Sequence, residues 1–141
     1  MPPRLPFLIL LAAFSVPAQT DTQPWFATIA RLAAALSRND SVSAMETFDS
    51  KAQDYGAIES DIEALVAQAD VLCAIDPVED KPLGEAHEID TDWYLQLKSQ
   101  ADAGPTERRR ERVRMQLKQV RGQWRITMLS PLTILGPIRI Q

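Results

Sequence analysis

The chain holds one histidine, one cysteine, two tyrosines and three tryptophans, so the chemistry open to it is narrow. A single cysteine forms no internal disulfide framework, and a single histidine works against a His-rich metal centre or a Ser-His-Asp triad; no metal and no cofactor are expected. His87 falls on the apolar side of its predicted strand, where a cavity base would sit. The competing reading is a hydrogen-bonded structural residue at a strand's start. Tyr55 could reach inward from a helix as a general acid or hydrogen-bond donor, or be a core residue with its hydroxyl at the rim. Trp93 and Trp124 could stack an aromatic ligand, or serve as packing. Cys73, within Val71–Ile75, reads as a small buried hydrophobe. Tyr55, Cys73, Trp93 and Trp124 form the candidate lining of a site for a small apolar molecule. Asp90 and Asp92 lie two apart on one strand and so aim the same way, as paired carboxylates or cation ligands would. Their predicted neighbours are Arg112 and Arg114, which favours a solvated ion ladder instead.

Three helical patterns and a run of strands must position these residues. After Thr22 and Pro24, Phe26, Ile29, Ala33 and Leu36 recur at helical steps to about Ser37. Asn39-Asp40-Ser41 offers a cap for a short second helix carrying Val42, Met45 and Phe48. Ser50-x-x-Gln53 resembles a capping box before a third helix, with Tyr55, Ile58, Ile62, Leu65 and Ala69 on one face. From Val71 the period changes to two. Val71–Asp76 is predicted as a short strand stopped by Pro77, and 79–85 as a loop. His87, Ile89, Thr91, Trp93, Leu95 and Leu97 then alternate with polar residues, as do Val113, Met115 and Leu117.

Two registers follow. A turn at Arg121-Gly122 pairs Gln119 with Trp124, Leu117 with Ile126 and Met115 with Met128. A loop over 99–105 pairs Tyr94 with Arg110, Asp92 with Arg112 and Asp90 with Arg114. Both keep apolar side chains on one face and charges on the other. No Asp is expected at an inward position of the long strands. The Leu- and Ile-rich stretch 129–140 is expected to finish the last strand and then cover an edge or meet a partner.

Met1–Arg4, the apolar run Leu5–Val16 and Val16-Pro17-Ala18 have the form of a signal peptide cleaved after Ala18. The run is shorter than the roughly 17–25 apolar residues of a membrane span, so a retained anchor is the lesser alternative, and no cysteine follows to carry lipid. A periplasmic or secreted domain over residues 19–141 is expected, with no membrane attachment after cleavage. Residues 19–105 carry 17 acids against 5 bases, and residues 106–141 carry 2 against 9, so the two parts should attract each other. The run Arg108-Arg109-Arg110-Glu111-Arg112 invites a nucleic-acid reading, but the net charge of −4 and the export signal argue against it.

Three helices, a short strand and a long meander, with Leu36-Ser37-x-Asn39-Asp40, Val113-x-Met115-x-Leu117-Lys118 and Arg121-Gly122-Gln123-Trp124-Arg125-Ile126, resemble the nuclear transport factor 2-like (SnoaL-like) superfamily. The resemblance implies an α+β fold: three N-terminal helices packed in the concave face of a curved antiparallel sheet, a cone-shaped α+β barrel. It also implies a conical cavity and the possibility of a homodimer through the sheet. The leading functional expectation is an exported, non-catalytic domain that binds a small apolar ligand or a protein partner. The alternative is an enzyme of SnoaL or ketosteroid-isomerase type using His87 and Tyr55. N-terminal sequencing of the exported protein should begin at Gln19; a chain still carrying residues 1–18 in the membrane fraction would show an anchor instead.

Overall fold

In a computed structural model describing residues 23–101 and 104–139, the helical patterns become α1 (Phe26–Ser37), α2 (Ser41–Glu46) and α3 (Tyr55–Gln68). The alternating patterns become β1 (Ala69–Leu83), β2 (Ala86–Ser99), β3 (Thr106–Val120) and β4 (Gln123–Ser130), followed by a 3-10 turn, Leu132–Leu135. The strands form one antiparallel curved sheet in the order β1-β2-β3-β4, with the helices completing the expected α+β architecture. The signal segment and its cleavage point lie outside the described residues.

Alternation sets the core. Ile89, Thr91, Trp93, Leu95 and Leu97 from β2 and Val113, Met115 and Leu117 from β3 are buried, and meet Ile29, Leu32 and Leu36 of α1 and Ile58, Ile62 and Leu65 of α3. Trp25 and Trp93, 0% and 1% exposed, are the largest of these side chains. Val42, expected on the inner face of α2, is instead 70% exposed; Ala44 and Met45 turn inward. The cap on α2 is as expected, Asp40 accepting from the Ser43 N–H (3.0 Å) and hydroxyl (2.7 Å). These two bonds, backbone first, hold the Asp40 carboxyl below its usual range. The capping box before α3 does not form. Gln53 donates its backbone N–H to the Thr127 carbonyl (3.1 Å), and α3 starts from Asp54 in a left-handed conformation without a side-chain cap.

The β2–β3 register is the one predicted, with Tyr94, Asp92 and Asp90 opposite Arg110, Arg112 and Arg114. The β3–β4 register agrees through Leu117 and Ile126, then slips by one residue, so that Leu129 rather than Met128 faces Met115. β1 departs further from expectation. It does not stop at Pro77 but continues to Leu83, through both prolines, and a two-residue turn opening on Gly84 (φ 59°) leads into β2. The reason is position: β1 is an edge strand. The Val71 and Cys73 N–H groups point away from β2, to Asn39 and Ser37. Pro77 shares that rung parity, so its missing donor costs no ladder bond.

Both edges of the sheet are partly covered. Asn39 accepts from Val71 N–H (3.0 Å) and donates to the Ala69 and Val66 carbonyls, and Ser37 Oγ accepts from Cys73 N–H (2.9 Å). On β4, the Asp49 N–H donates to the Ile126 carbonyl (2.9 Å) and the Ile126 N–H to the Thr47 carbonyl (2.8 Å). The part of β3 that β4 does not reach is covered by the chain after β4, as the apolar tail suggested. Its fastener is Arg109, whose Nη1 donates to the Ile134 (2.9 Å) and Gly136 (2.8 Å) carbonyls and whose Nη2 donates to Pro137 (2.7 Å). Glu107 pairs with the Arg109 Nε and accepts from the Arg139 N–H. Burial acts to raise the Glu107 carboxyl, but these bonds and the two arginine charges outweigh it, and its pKa lies below the usual value. Ile140 lies outside the described residues.

Replacing Arg109 with Met should cost about 3 kcal/mol, because three carbonyls and Glu107 lose their partner. Arg108→Met, on an exposed side chain, should cost a few tenths of a kcal/mol or so. Urea denaturation of both variants at neutral pH checks this, and equal midpoints would show that Arg109 is not the fastener.

Candidate functional site

The slip in β1 decides what faces the imidazole. Val71, Cys73 and Ile75 turn inward; between Pro77 and Glu79 the pairing shifts by one residue, and the inward set becomes Asp80 and Pro82, opposite Ile89 and His87. Asp80 is therefore the diagonal neighbour of His87, and its Oδ1 lies 2.8 Å from Nδ1. The expectation that no Asp faces inward is thereby corrected, since it rested on a loop where the structure has a strand. The edge of one ring meets the other between His87 and Trp124, with centroids 5.4 Å apart at 67°. A carboxylate on Nδ1 fixes the ring orientation and directs Nε2 outward from the pair, the arrangement of an oriented base or hydrogen-bond acceptor. The two side chains are about one-quarter exposed.

Tyr55 stands elsewhere. It lines an open groove of about 880 Å³ between α2, the start of α3, the loop at 48–51 and the β3–β4 hairpin, which His87 does not line. On α3, Tyr55, Glu59 and Glu63 follow one another at four-residue steps along one wall. Lys118, Arg121 and Arg125 form the other. The structure thus brings His87 to Trp124, but not to Tyr55.

Trp93 and Cys73 are core residues. The Cys73 backbone is held to Ser37 on both its N–H and its carbonyl, and burial pushes its thiol up to about 12. Trp124 is half-buried and forms part of a second, smaller pocket beside α1. The Nε1 atoms of Trp25, Trp93 and Trp124 are buried without a hydrogen-bond partner, which suits rings placed for their apolar area.

The paired aspartates are surface groups. Asp92 bonds to Arg112 Nε (2.8 Å) with both side chains more than half exposed, while Arg114 approaches Glu88 (3.7 Å) rather than Asp90, and the Arg110 guanidinium lies over the Tyr94 ring at 5.4 Å. Exposed pairs of this kind contribute little to stability. The sequence reading missed Asp80, whose direction depends on the bulge. It also missed Arg31 and Arg38, although their spacing was visible.

A curved sheet around three helices, with Trp25 and Trp93 buried in its interior and charged groups at its rim, is a scaffold that by its fold alone assigns no function. No protein-family model and no curated protein matches the sequence. Solved structures do match. A ketosteroid isomerase-like protein from Erwinia carotovora atroseptica superposes with a TM-score of 0.62 at 11% identity, over 79% of this chain and 94% of that one. A scytalone dehydratase-like protein from Novosphingobium aromaticivorans gives 0.65 at 9% identity, over 73% and 76%. A conserved protein from Planctomyces limnophilus gives 0.65 at 8%, over 73% and 88%. The chain has the nuclear transport factor 2-like (SnoaL-like) fold.

The thiol supplies a direct check of the geometry. Iodoacetamide at pH 8 should leave Cys73 unmodified in the native protein and alkylate it fully in urea, as read by intact mass. Because the folded pKa lies above the ordinary 9.0, the unfolded chain ionises first, and stability should fall between about pH 9 and 12 in a way that Cys73→Ala abolishes. Rapid native alkylation would place the thiol outside the core.

Proposed function

We propose that this chain is an exported, non-catalytic binding domain and that its occupant is a segment of a protein partner held in the groove beside Tyr55. The observation that carries this reading is where the space lies. Trp25 and Trp93 occupy the cone with at most 1% exposure, whereas the groove offers about 880 Å³ between charged walls. A small apolar molecule favours a pocket lined mainly by apolar side chains. Here Glu59 and Glu63 share the lining with Lys118 and Arg121, which suits an extended peptide carrying both charges and kept in register by them. Val42, 70% exposed on the same groove, supplies an apolar contact. The acid/base alternative asks for His87 and Tyr55 around one cavity, and Tyr55 lines a groove to which His87 does not contribute.

A photo-crosslinking residue placed at Val42, Glu63 or Arg121 in the producing cells tests the proposal, with Leu72 on the outer face of the sheet as the comparison. One common adduct from the three groove positions, absent from Leu72 and weakened by Glu59→Lys, is the expected result. Adducts of twice the chain mass from Leu72 alone would move the partner surface to a homodimer through the sheet, and no adduct from the groove positions would remove the reading.

A further inference from the structure

Arg31, Ala34 and Arg38 lie at i, i+3 and i+7, so the two arginines share one face of α1. That side of α1 and its C-cap, together with Trp124 and Arg125 of β4, Ser43 of α2 and Thr47 just after it, lines an open pocket of about 450 Å³. The size falls within the roughly 300–1,000 Å³ of small-molecule sites. Two of its cations are positioned by the fold. Arg31 Nη2 donates to Thr28 Oγ1 (3.3 Å), and that buried hydroxyl donates to the Trp124 carbonyl (2.9 Å), tying the guanidinium to the strand that carries the indole. Arg125 donates to the Glu46 carbonyl and, through Nη2, to Gln123 Oε1 (2.9 Å). Arg31, Arg38 and Arg125 make no ion pair among the described residues. The acids nearby are Glu46, on the wall, and Asp40, which lies near Arg38 but accepts the cap bonds from Ser43.

Three guanidinium groups against the Glu46 carboxylate on the wall and the Asp40 carboxylate beside Arg38 leave the pocket net positive, in a space bordered by an aromatic ring. A guanidinium fork matches phosphate and carboxylate oxygens in pairs, and an indole accepts a flat apolar group. We propose that this pocket binds a small dianion carried on a planar ring, an aryl phosphate or an aryl dicarboxylate. The site goes beyond the groove reading. The two share Glu46, Gln123 and Arg125, but Arg31 and Arg38 line only this pocket, so the two proposals can fail separately.

Calorimetric titration of the exported protein with phenyl phosphate and with phthalate tests it, using inorganic phosphate and benzyl alcohol as the two halves of the ligand. At least one of the two ring dianions should bind at least about tenfold more tightly than either half. Binding should weaken as salt rises, and one of the three tryptophan indole signals in a proton–nitrogen correlation spectrum, the one lost in Trp124→Phe, should shift. Arg31→Gln with Arg38→Gln should lower affinity by about tenfold or more while leaving the circular dichroism spectrum unchanged. Binding of phenyl phosphate alone would identify a phosphate ligand, and of phthalate alone a dicarboxylate. Failure of both to bind, affinity indifferent to the two arginines, or inorganic phosphate binding as tightly as the ring compounds would overturn the proposal.

Discussion

A sheet of four strands has two long edges and one greasy face, and the unpaired backbone groups along those edges are the constraint to which the rest of this molecule answers. Three stretches of edge are met in three different ways. Asn39 and Ser37, just past and at the end of α1, take the Val71 and Cys73 donors at the start of β1. The chain between α2 and α3 lies along β4 and exchanges backbone bonds with it. Arg109 brings the terminal segment to the remaining length of β3. The linkers thus act as extensions of the sheet and hold α1 and α3 against its concave face.

The same constraint explains which features could be read from the residues. The β2–β3 register was legible because a one-residue slip would have set Ile89 and Thr91, which face Met115 and Val113, against the charged side of β3, a penalty written into the alternation itself. The three helices were legible from apolar residues at three- and four-residue steps, which placed their buried faces except at Val42. Pro77 was misleading because its cost depends on whether a neighbouring strand needs its N–H, and only the topology shows that β1 is an edge. Arg109 read as one member of a surface run; its role depends on three carbonyls some 25–28 residues later in the chain, and carbonyls leave no mark in a sequence. The capping box failed because Gln53 had a longer-range use for its backbone.

The site was legible in its parts and not in its assembly. His87 and Trp124 were both placed on the inner face, and their rings do meet. Their third member, Asp80, owes its direction to one extra residue near Val78, which exchanges inward for outward along the end of β1. A bulge of this kind has no compositional signature, yet it converts an apparently acid-free inner surface into a carboxylate–imidazole pair. Tyr55 was expected in the same cavity because the resemblance supplied a cavity. It packs at the edge of the core and lines the groove instead, which the acids of α3 and the bases of the hairpin share.

The filling of the cone also decides where the charges of the chain can lie. With Trp25 and Trp93 occupying the interior, polar side chains that need solvent or a partner are displaced to the rim and to the outer face of the sheet. Acids of β2 and bases of β3 therefore meet on the outer face of the sheet, and acids of the helices share open grooves with bases of the last two strands. At contacts such as Asp92 with Arg112 they neutralise one another in water for little gain in stability. Where space separates them, as along the groove, or where cations gather around an aromatic wall, as beside α1, the field extends into solvent and is available to an incoming molecule. Packing the centre with large aromatic side chains thus leaves the charged side chains of this chain at its rim and on its outer face.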